Sequence, residues 1–178
     1  MMDSGLERKF YRPDAGLVVE GARLEGYASV FGVRDQGGDV VLAGAYGASL
    51  ARITREGRRV KMLWQHDPGQ PIGIWDEVVE DTVGLRVKGR LLTDLAQGRE
   101  AAALLAAGAI DGLSIGYRTL RAERDGKGQR LLAELDLWEV SLVTFPMLPE
   151  ARVSAKADDG FDEMAAAFRR AQAVLAAR

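Results

Sequence analysis

The segment Asp111–Arg118 reads DGLSIGYR and sets one serine between two glycines in a run that alternates like a β-strand. Because successive side chains of a strand point to opposite faces, the three apolar side chains of this segment are predicted to face a core. Ser114 and Gly116 then lie together on the other, open face. Gly116 has no side chain, so a substrate backbone could approach the Ser114 hydroxyl without a clash. The segment therefore predicts an accessible serine, which is either an ordinary surface residue or a nucleophile.

The same residues match the Gly-x-Ser-x-Gly pattern of the nucleophile elbow in α/β-hydrolases. That elbow requires a strand, a sharp turn at the serine and then a helix, with the acid and the histidine further along the chain. Here the residues after Ser114 continue the pattern of a strand, and the single histidine, His66, comes before the serine. The sequence therefore argues against an α/β-hydrolase.

The flanking sequence predicts many short strands and two helices. After the serine segment, a strand to Arg121, a turn at Asp125–Gly128 and a return strand over Arg130–Phe145 form a hairpin with an Asp-Gly turn signal. Within the return strand, Leu137–Phe145 is apolar on both faces, which is typical of a central strand. Upstream, strands are predicted over residues 17–31 with a break at 20–21, 40–42, 58–65, 71–79 and 83–92, and helices over 45–55 and from a capping box of Asp94 and Gln97 to Gly108.

The composition is ordinary for one soluble globular domain. The chain has 178 residues and a net charge of -2, which argues against binding nucleic acid through phosphate neutralisation. It contains no cysteine and one histidine, which excludes thiol nucleophiles, disulfides and thiolate zinc sites, and no metal or other cofactor is predicted. Residues Met1–Arg12 lack the apolar run of a signal peptide, and no segment approaches a membrane-spanning length.

His66 stands at the end of a predicted strand. Val60, Met62 and Trp64 alternate along one apolar face, and His66 continues that face just before a turn. The adjacent Asp67 is predicted to point away from His66, because neighbouring side chains on an extended chain face opposite sides. A histidine in this position is either a structural core residue or a general base.

Glu139 lies within the predicted central strand, where a carboxylate is costly unless a cation or strong donors meet it. Its partner is either an arginine, in a buried ion pair, or His66. A serine becomes an effective nucleophile when an imidazole takes its proton and a carboxylate holds the other ring nitrogen. His66, Ser114 and Glu139 are therefore the candidate base, nucleophile and acid, with Asp136 as the alternative acid. Ser141 is predicted to be a core hydroxyl bonded to backbone.

Several stretches of the chain, in their order and spacing, resemble the phage prohead proteases, also called capsid maturation proteases, whose fold is similar to that of herpesvirus assemblin. The resemblance covers about Phe10–Ala151. It is carried by Gly26–Phe31, Gly38–Val40, Gly44–Tyr46, Leu63–Asp67, Gly112–Tyr117 and Leu137–Pro146.

The resemblance implies a β-rich α+β fold, an antiparallel β-barrel of about six to eight strands flanked by helices, similar to the herpesvirus proteases. It implies a serine endopeptidase that acts inside the assembling procapsid, in the cytoplasm of the bacterial host. His66 and Ser114 stand at the family's motif positions. Herpesvirus enzymes use a second histidine, which is absent here, so Glu139 is taken as the third member from the phage pattern.

The implied substrates are proteins: scaffold segments, an N-terminal extension of the major capsid protein, and the chain itself. The resemblance implies no cofactor, no direct nucleic-acid partner and no membrane, and a homodimer is a compatible assembly. The alternative function is a catalytically inactive assembly factor that binds capsid or scaffold subunits. An esterase or amidase for small molecules fits less well, because the chain is short and shows no lid domain.

The chain is predicted to divide into a domain and a C-terminal segment. Residues 1–150 are expected to form the protease domain, and residues 151–178 a linker followed by an amphipathic C-terminal helix. That helix is predicted because apolar residues recur at helical spacing, at Phe161, Met164, Phe168 and Leu175.

Overall fold

A computed structural model of the chain describes residues 7–11 and 18–144. The predicted linker and helix at 151–178 lie outside the described residues, so the domain division stays a prediction. No helix in the described part is long and apolar enough to span a membrane. The elements in this part are β1 (Glu7–Tyr11), β2 (Val18–Glu20), β3 (Arg23–Val30), β4 (Asp39–Val41), α1 (Gly47–Arg55), β5 (Lys61–Trp64), β6 (Asp67–Glu80), β7 (Gly84–Leu91), α2 (Ala96–Ala106), β8 (Gly112–Arg124) and β9 (Arg130–Val143).

The strands form one curled sheet. Their order is β1-β8-β9-β5-β6-β7-β3-β2, and β4 also pairs with β9. The sheet curls so that β3, near one end of this order, also lies against β1 and β8 at the other end. The predicted β-rich fold with two helices is confirmed.

Two details of the predicted sheet are wrong. The described residues contain nine strands rather than six to eight. The sheet is also mixed rather than antiparallel, because β4 and β5 both run parallel to β9. Parallel neighbours require a long crossover connection, and the alternation within each strand carries no information about such distant pairing.

Strand β9 is the centre of the sheet because both of its edges are paired. β8 runs antiparallel along one edge, while β4 and β5 pair with separate parts of the other edge. Between those two parts, Leu135 N donates to Ala45 O (2.9 Å) and Leu137 N donates to Ser49 Oγ (2.9 Å), so the chain entering α1 fills the gap. The apolar β9 side chains with no exposed surface are Leu132, Leu135, Leu137, Val140 and Leu142. The prediction of a central strand is confirmed.

Helix α2 begins differently from its prediction. The capping box of Asp94 and Gln97 is wrong, because Leu95 is the N-cap and makes no side-chain cap bond. A turn closed by Leu95 N donating to Leu92 O (2.9 Å) precedes the helix and takes up the predicted capping position. The predicted stop at Gly108 agrees with its φ of 68°, a backbone conformation that favours glycine.

The hydroxyl of Ser49 is predicted to stabilise the contact between α1 and β9. Ser49→Ala leaves the buried Leu137 N–H without its acceptor, which should lower the free energy of unfolding by about 1–3 kcal/mol. The control is Thr54→Ala in the same helix, where an exposed hydroxyl donates to Leu50 O (3.0 Å) and removal should change stability by less than about 0.5 kcal/mol. Urea denaturation of both variants checks the prediction, and equal losses would contradict it.

Candidate active site

His66 lies in a two-residue turn between β5 and β6, so its predicted place on the apolar face of the strand is wrong. Trp64, at the end of β5, pairs with Asp67 at the start of β6, which leaves Gln65 and His66 as the hairpin loop. Both loop residues have positive φ, 52° and 63°. A two-residue hairpin turn with this backbone normally uses Asn or Gly, and other residues in it cost about 1–3 kcal/mol each. The turn must therefore be held by its surroundings.

The end of β9 holds this turn in place. Gln65 N donates to Leu142 O (2.9 Å), and His66 N donates to Ser141 Oγ (3.2 Å). The Gln65 side-chain amide also donates to Thr144 Oγ1 (2.5 Å). These bonds extend the parallel pairing of β5 and β9 beyond the last residue of β5, and they fix where the imidazole of His66 can reach.

Ser114 and Glu139 come from the two neighbouring strands β8 and β9. In the antiparallel register, Ser114 is opposite Ser141 and Gly116 is opposite Glu139. Side chains two residues apart on a strand share a face, so these four positions form one patch of the sheet. A rigid sheet fixes the separation of the serine and the acid without help from a loop.

The imidazole of His66 bridges the two strands. Its Nε2 lies 2.6 Å from Ser114 Oγ, and its Nδ1 lies 2.5 Å from Glu139 Oε1. The second carboxyl oxygen, Glu139 Oε2, accepts a hydrogen bond from Ser141 Oγ at 2.5 Å. Both oxygens of this buried acid thus have a partner, which offsets its loss of hydration. The structure brings the three predicted site residues into one hydrogen-bonded chain.

The patch is buried, so the prediction that Ser114 lies on an open face is wrong. Ser114 has no exposed surface, and the exposed fractions of Glu139 and His66 are 6% and 8%. Alternation along a strand tells which side chains share a face, but it does not tell what covers that face. The face that Ser114 shares with Gly116 is covered, in part by His66 and the carboxyl group of Glu139.

Gly116 makes space for the acid, a role that the sequence did not predict. A Cβ built at Gly116 would lie 2.7 Å from Glu139 Cδ and 2.8 Å from Glu139 Cγ, well inside van der Waals contact. Because Gly116 is the cross-strand partner of Glu139, its missing side chain makes the space in which the carboxyl group turns toward His66. This glycine is therefore part of the site's construction.

The alternative acid Asp136 and the neighbouring Asp67 have other partners. Asp136 forms an ion pair with Arg52 of α1 and accepts a hydrogen bond from Trp138 Nε1 (3.0 Å). Asp67 accepts hydrogen bonds from its own loop, at Gly69 N (2.8 Å) and at the side-chain amide of Gln70 (2.9 Å). Neither carboxyl group is bonded to the imidazole, whereas Glu139 is.

Ser141 is a functional candidate that the sequence reasoning only half identified. It is fully buried and bonded to backbone, as predicted, but it also donates to the acid. The signal that could have found this second bond is the Glu-x-Ser spacing, because two residues on one strand face can contact each other.

The described residues contain no group of three or more His, Cys, Asp and Glu side chains placed to hold a metal ion. A hydroxyl bonded to an imidazole, whose other nitrogen is bonded to a carboxyl group, is the arrangement that activates a serine for attack on a carbonyl carbon.

A known protein family matches most of this chain. A family model described as the caudovirus prohead serine protease matches residues 14–166. The chain belongs to this family. The resemblance to prohead proteases that the sequence motifs indicated is thereby confirmed, and all three members of the hydrogen-bonded chain lie within the matched residues.

One relative of the chain is the prohead protease of Enterobacteria phage HK97, which is 34% identical over 143 residues. The match covers 78% of this chain and 62% of the relative, so the chain spans less than two thirds of that protein's length. Among solved structures, the bacteriophage T4 capsid assembly protease is similar in fold, with a TM-score of 0.63 at 17% identity. That match covers 79% of this chain and 98% of the T4 chain.

Gly116→Ala is predicted to disturb the candidate site by moving Glu139. The added methyl group occupies the space of the carboxyl group, and such overpacking should lower the free energy of unfolding by about 1–3 kcal/mol. The control is Gly126→Ala in the β8–β9 turn, where a Cβ meets nothing within 4 Å. Chemical denaturation of both variants checks the prediction, which fails if Gly116→Ala is as stable as the control.

Proposed function

We propose that this chain is a serine endopeptidase of a tailed phage or phage-like particle. Its substrates are scaffold segments or an N-terminal extension of the major capsid protein, and its own chain, and it acts within the assembling procapsid in the bacterial host. The observation that carries the proposal is the chain of hydrogen bonds from Ser114 through His66 to Glu139, in a member of the prohead serine protease family.

In the first half of the reaction, Ser114 Oγ attacks the carbonyl carbon of the scissile peptide bond. His66 Nε2, 2.6 Å away, takes the hydroxyl proton as the carbon–oxygen bond forms. Glu139 accepts the Nδ1–H hydrogen bond, which holds the ring in the tautomer whose Nε2 is free to receive a proton and stabilises the imidazolium that results.

The imidazolium of His66 then gives its proton to the leaving amine as the carbon–nitrogen bond breaks, which completes the first half. The product is an ester between Ser114 and the carbonyl carbon of the substrate. In the second half, water attacks this ester and His66 again acts as the base. The serine hydroxyl is restored as the product carboxylic acid leaves. Because the two strands and the turn hold all three groups, little reorganisation is needed between these steps.

The conformation described here is closed around the nucleophile. Ser114 has no exposed surface, so a peptide can reach its Oγ only after the covering residues move aside. Closed sites exclude water and strengthen the electrostatic interactions within them. We infer that substrate binding opens the patch.

We extend the proposal to the shape of the sheet. The curled sheet, in which β3 approaches β1 and β8, supports a barrel related to that of the herpesvirus proteases. In such a barrel Glu139 would take the place of the second histidine, which this chain does not contain. The homodimer and the lack of nucleic-acid and membrane partners stay predictions.

Ser114→Ala is predicted to keep the fold and reduce cleavage of co-expressed capsid protein on the order of ten-thousand-fold or more. His66→Ala should reduce it about as much, and the double variant little further, because the two groups act as a unit. Mass spectrometry of the capsid protein measures the cleavage. If the Ser114→Ala variant still trims the capsid protein, Ser114 is not the nucleophile. If wild type does not trim it, the catalytically inactive assembly factor is favoured.

The choice of acid has its own test. Glu139→Gln should lower the cleavage rate by about a thousand-fold or more, because the amide favours the wrong imidazole tautomer. Asp136→Asn should change the rate by less than about tenfold, because Asp136 contacts α1 rather than the imidazole. Rates from purified enzyme and capsid protein check both variants, and a larger effect at Asp136 would move the acid to that residue.

A further inference from the structure

Ser141 occupies a position that the triad alone does not explain. It lies on β9, two residues beyond Glu139 on the same face, and it is the cross-strand partner of Ser114. Its side chain has no exposed surface. A buried hydroxyl loses its hydration, so its presence in the interior of a central strand requires hydrogen-bond partners of its own.

The hydroxyl of Ser141 contacts both the acid and the backbone of the base. A carboxylate can only accept hydrogen bonds, so the Ser141 proton points to Glu139 Oε2, 2.5 Å away. The lone pairs of the same oxygen then accept the His66 N–H at 3.2 Å. One oxygen atom thus links Glu139, which orients the imidazole, to the turn that carries the imidazole.

The hydrogen bonds of Ser141 restrict the motion of both the Glu139 carboxyl group and the His66 turn. With Oε1 bonded to His66 and Oε2 bonded to Ser141, the carboxyl group of Glu139 cannot rotate without breaking a hydrogen bond. The turn at His66 has an unfavourable positive φ, and its amide donates to Ser141 Oγ, so loss of this hydroxyl removes one of the hydrogen bonds that hold the turn. Loss of the hydroxyl therefore loosens both ends of the contact between the acid and the base.

We propose that Ser141 is a positioning residue of the site. It touches no substrate; it fixes the carboxyl group of Glu139 and the turn of His66 relative to each other. The inference rests on the proposed function, in that the chemistry being positioned is the activation of Ser114. Displacements of about 1 Å in a catalytic group can lower a rate about a hundred-fold, so a residue with this role has a measurable effect.

The single histidine of the chain makes the test direct, since every imidazole signal in a nuclear magnetic resonance spectrum comes from His66. The Nδ1 proton, in a short hydrogen bond to Glu139, should give a strongly downfield signal in the wild type. Reactivity of Ser114 is measured separately, as the rate at which a fluorophosphonate probe forms an ester with Oγ and releases fluoride.

Ser141→Ala should remove or broaden the downfield signal and lower the labelling rate of Ser114 by about 10- to 100-fold. The matched control is Ser29→Ala, which deletes another fully buried serine hydroxyl, on β3, and should change neither measurement. The proposal is overturned if folded Ser141→Ala keeps the wild-type signal and labels within about threefold of the wild-type rate.

A second pair of variants covers the case in which Ser141→Ala does not fold. Ser141→Thr and Ser141→Val have nearly the same shape and differ in the hydroxyl. The Thr variant should retain the downfield signal and the Val variant should lose it, whereas identical behaviour of the two overturns the proposal. A failure of the proposed function gives a different result. In that case the probe labels Ser114→Ala as fast as wild type, while the downfield imidazole signal still changes when Ser141 is substituted.

Discussion

The site depends on the pairing of β9 along both of its edges. The edge that faces β8 sets Ser114 opposite Ser141, and the edge that faces β5 carries the turn of Gln65 and His66. Serine, acid and base therefore arrive from three separate strands or strand ends, yet each is located relative to one central strand. A change in the register of either ladder by one residue would move a member of the site to the other face.

The buried acid is the most demanding feature of this arrangement. A carboxyl group in the interior of a sheet is unfavourable without strong partners, and β9 places Glu139 where its face is covered. Three neighbours accommodate the carboxyl group: Gly116 leaves space for it, His66 is hydrogen-bonded to one oxygen, and Ser141 donates to the other. The four residues are mutually dependent, because each contact assumes the position that the others impose.

The parts of the molecule that could be predicted from the sequence are those with local signals. The hairpin of β8 and β9 followed from an Asp-Gly turn between alternating segments, and β9 followed from its apolar run. The choice between the two acids was not within reach, because a β-bulge between Leu137 and Glu139 interrupts the alternation of β9. It sets Glu139 opposite Gly116 and Asp136 opposite Arg118, on one face of the sheet. The parallel pairing of β9, the cover over Ser114 and the start of α2 were not predictable, because they depend on contacts between distant segments.

The turn at His66 shows why alternation misplaced this residue. Val60, Met62 and Trp64 suggest that the next even position continues the strand, but Trp64 already pairs with Asp67 and the chain must reverse within two residues. Neither of those residues is glycine, although both adopt positive φ, which costs about 1–3 kcal/mol each. The strain is held by hydrogen bonds from the turn to β9, the same strand that carries the acid. The positive φ of His66 and the burial of Glu139 are thus both unfavourable, and hydrogen bonds to or within β9 stabilise both.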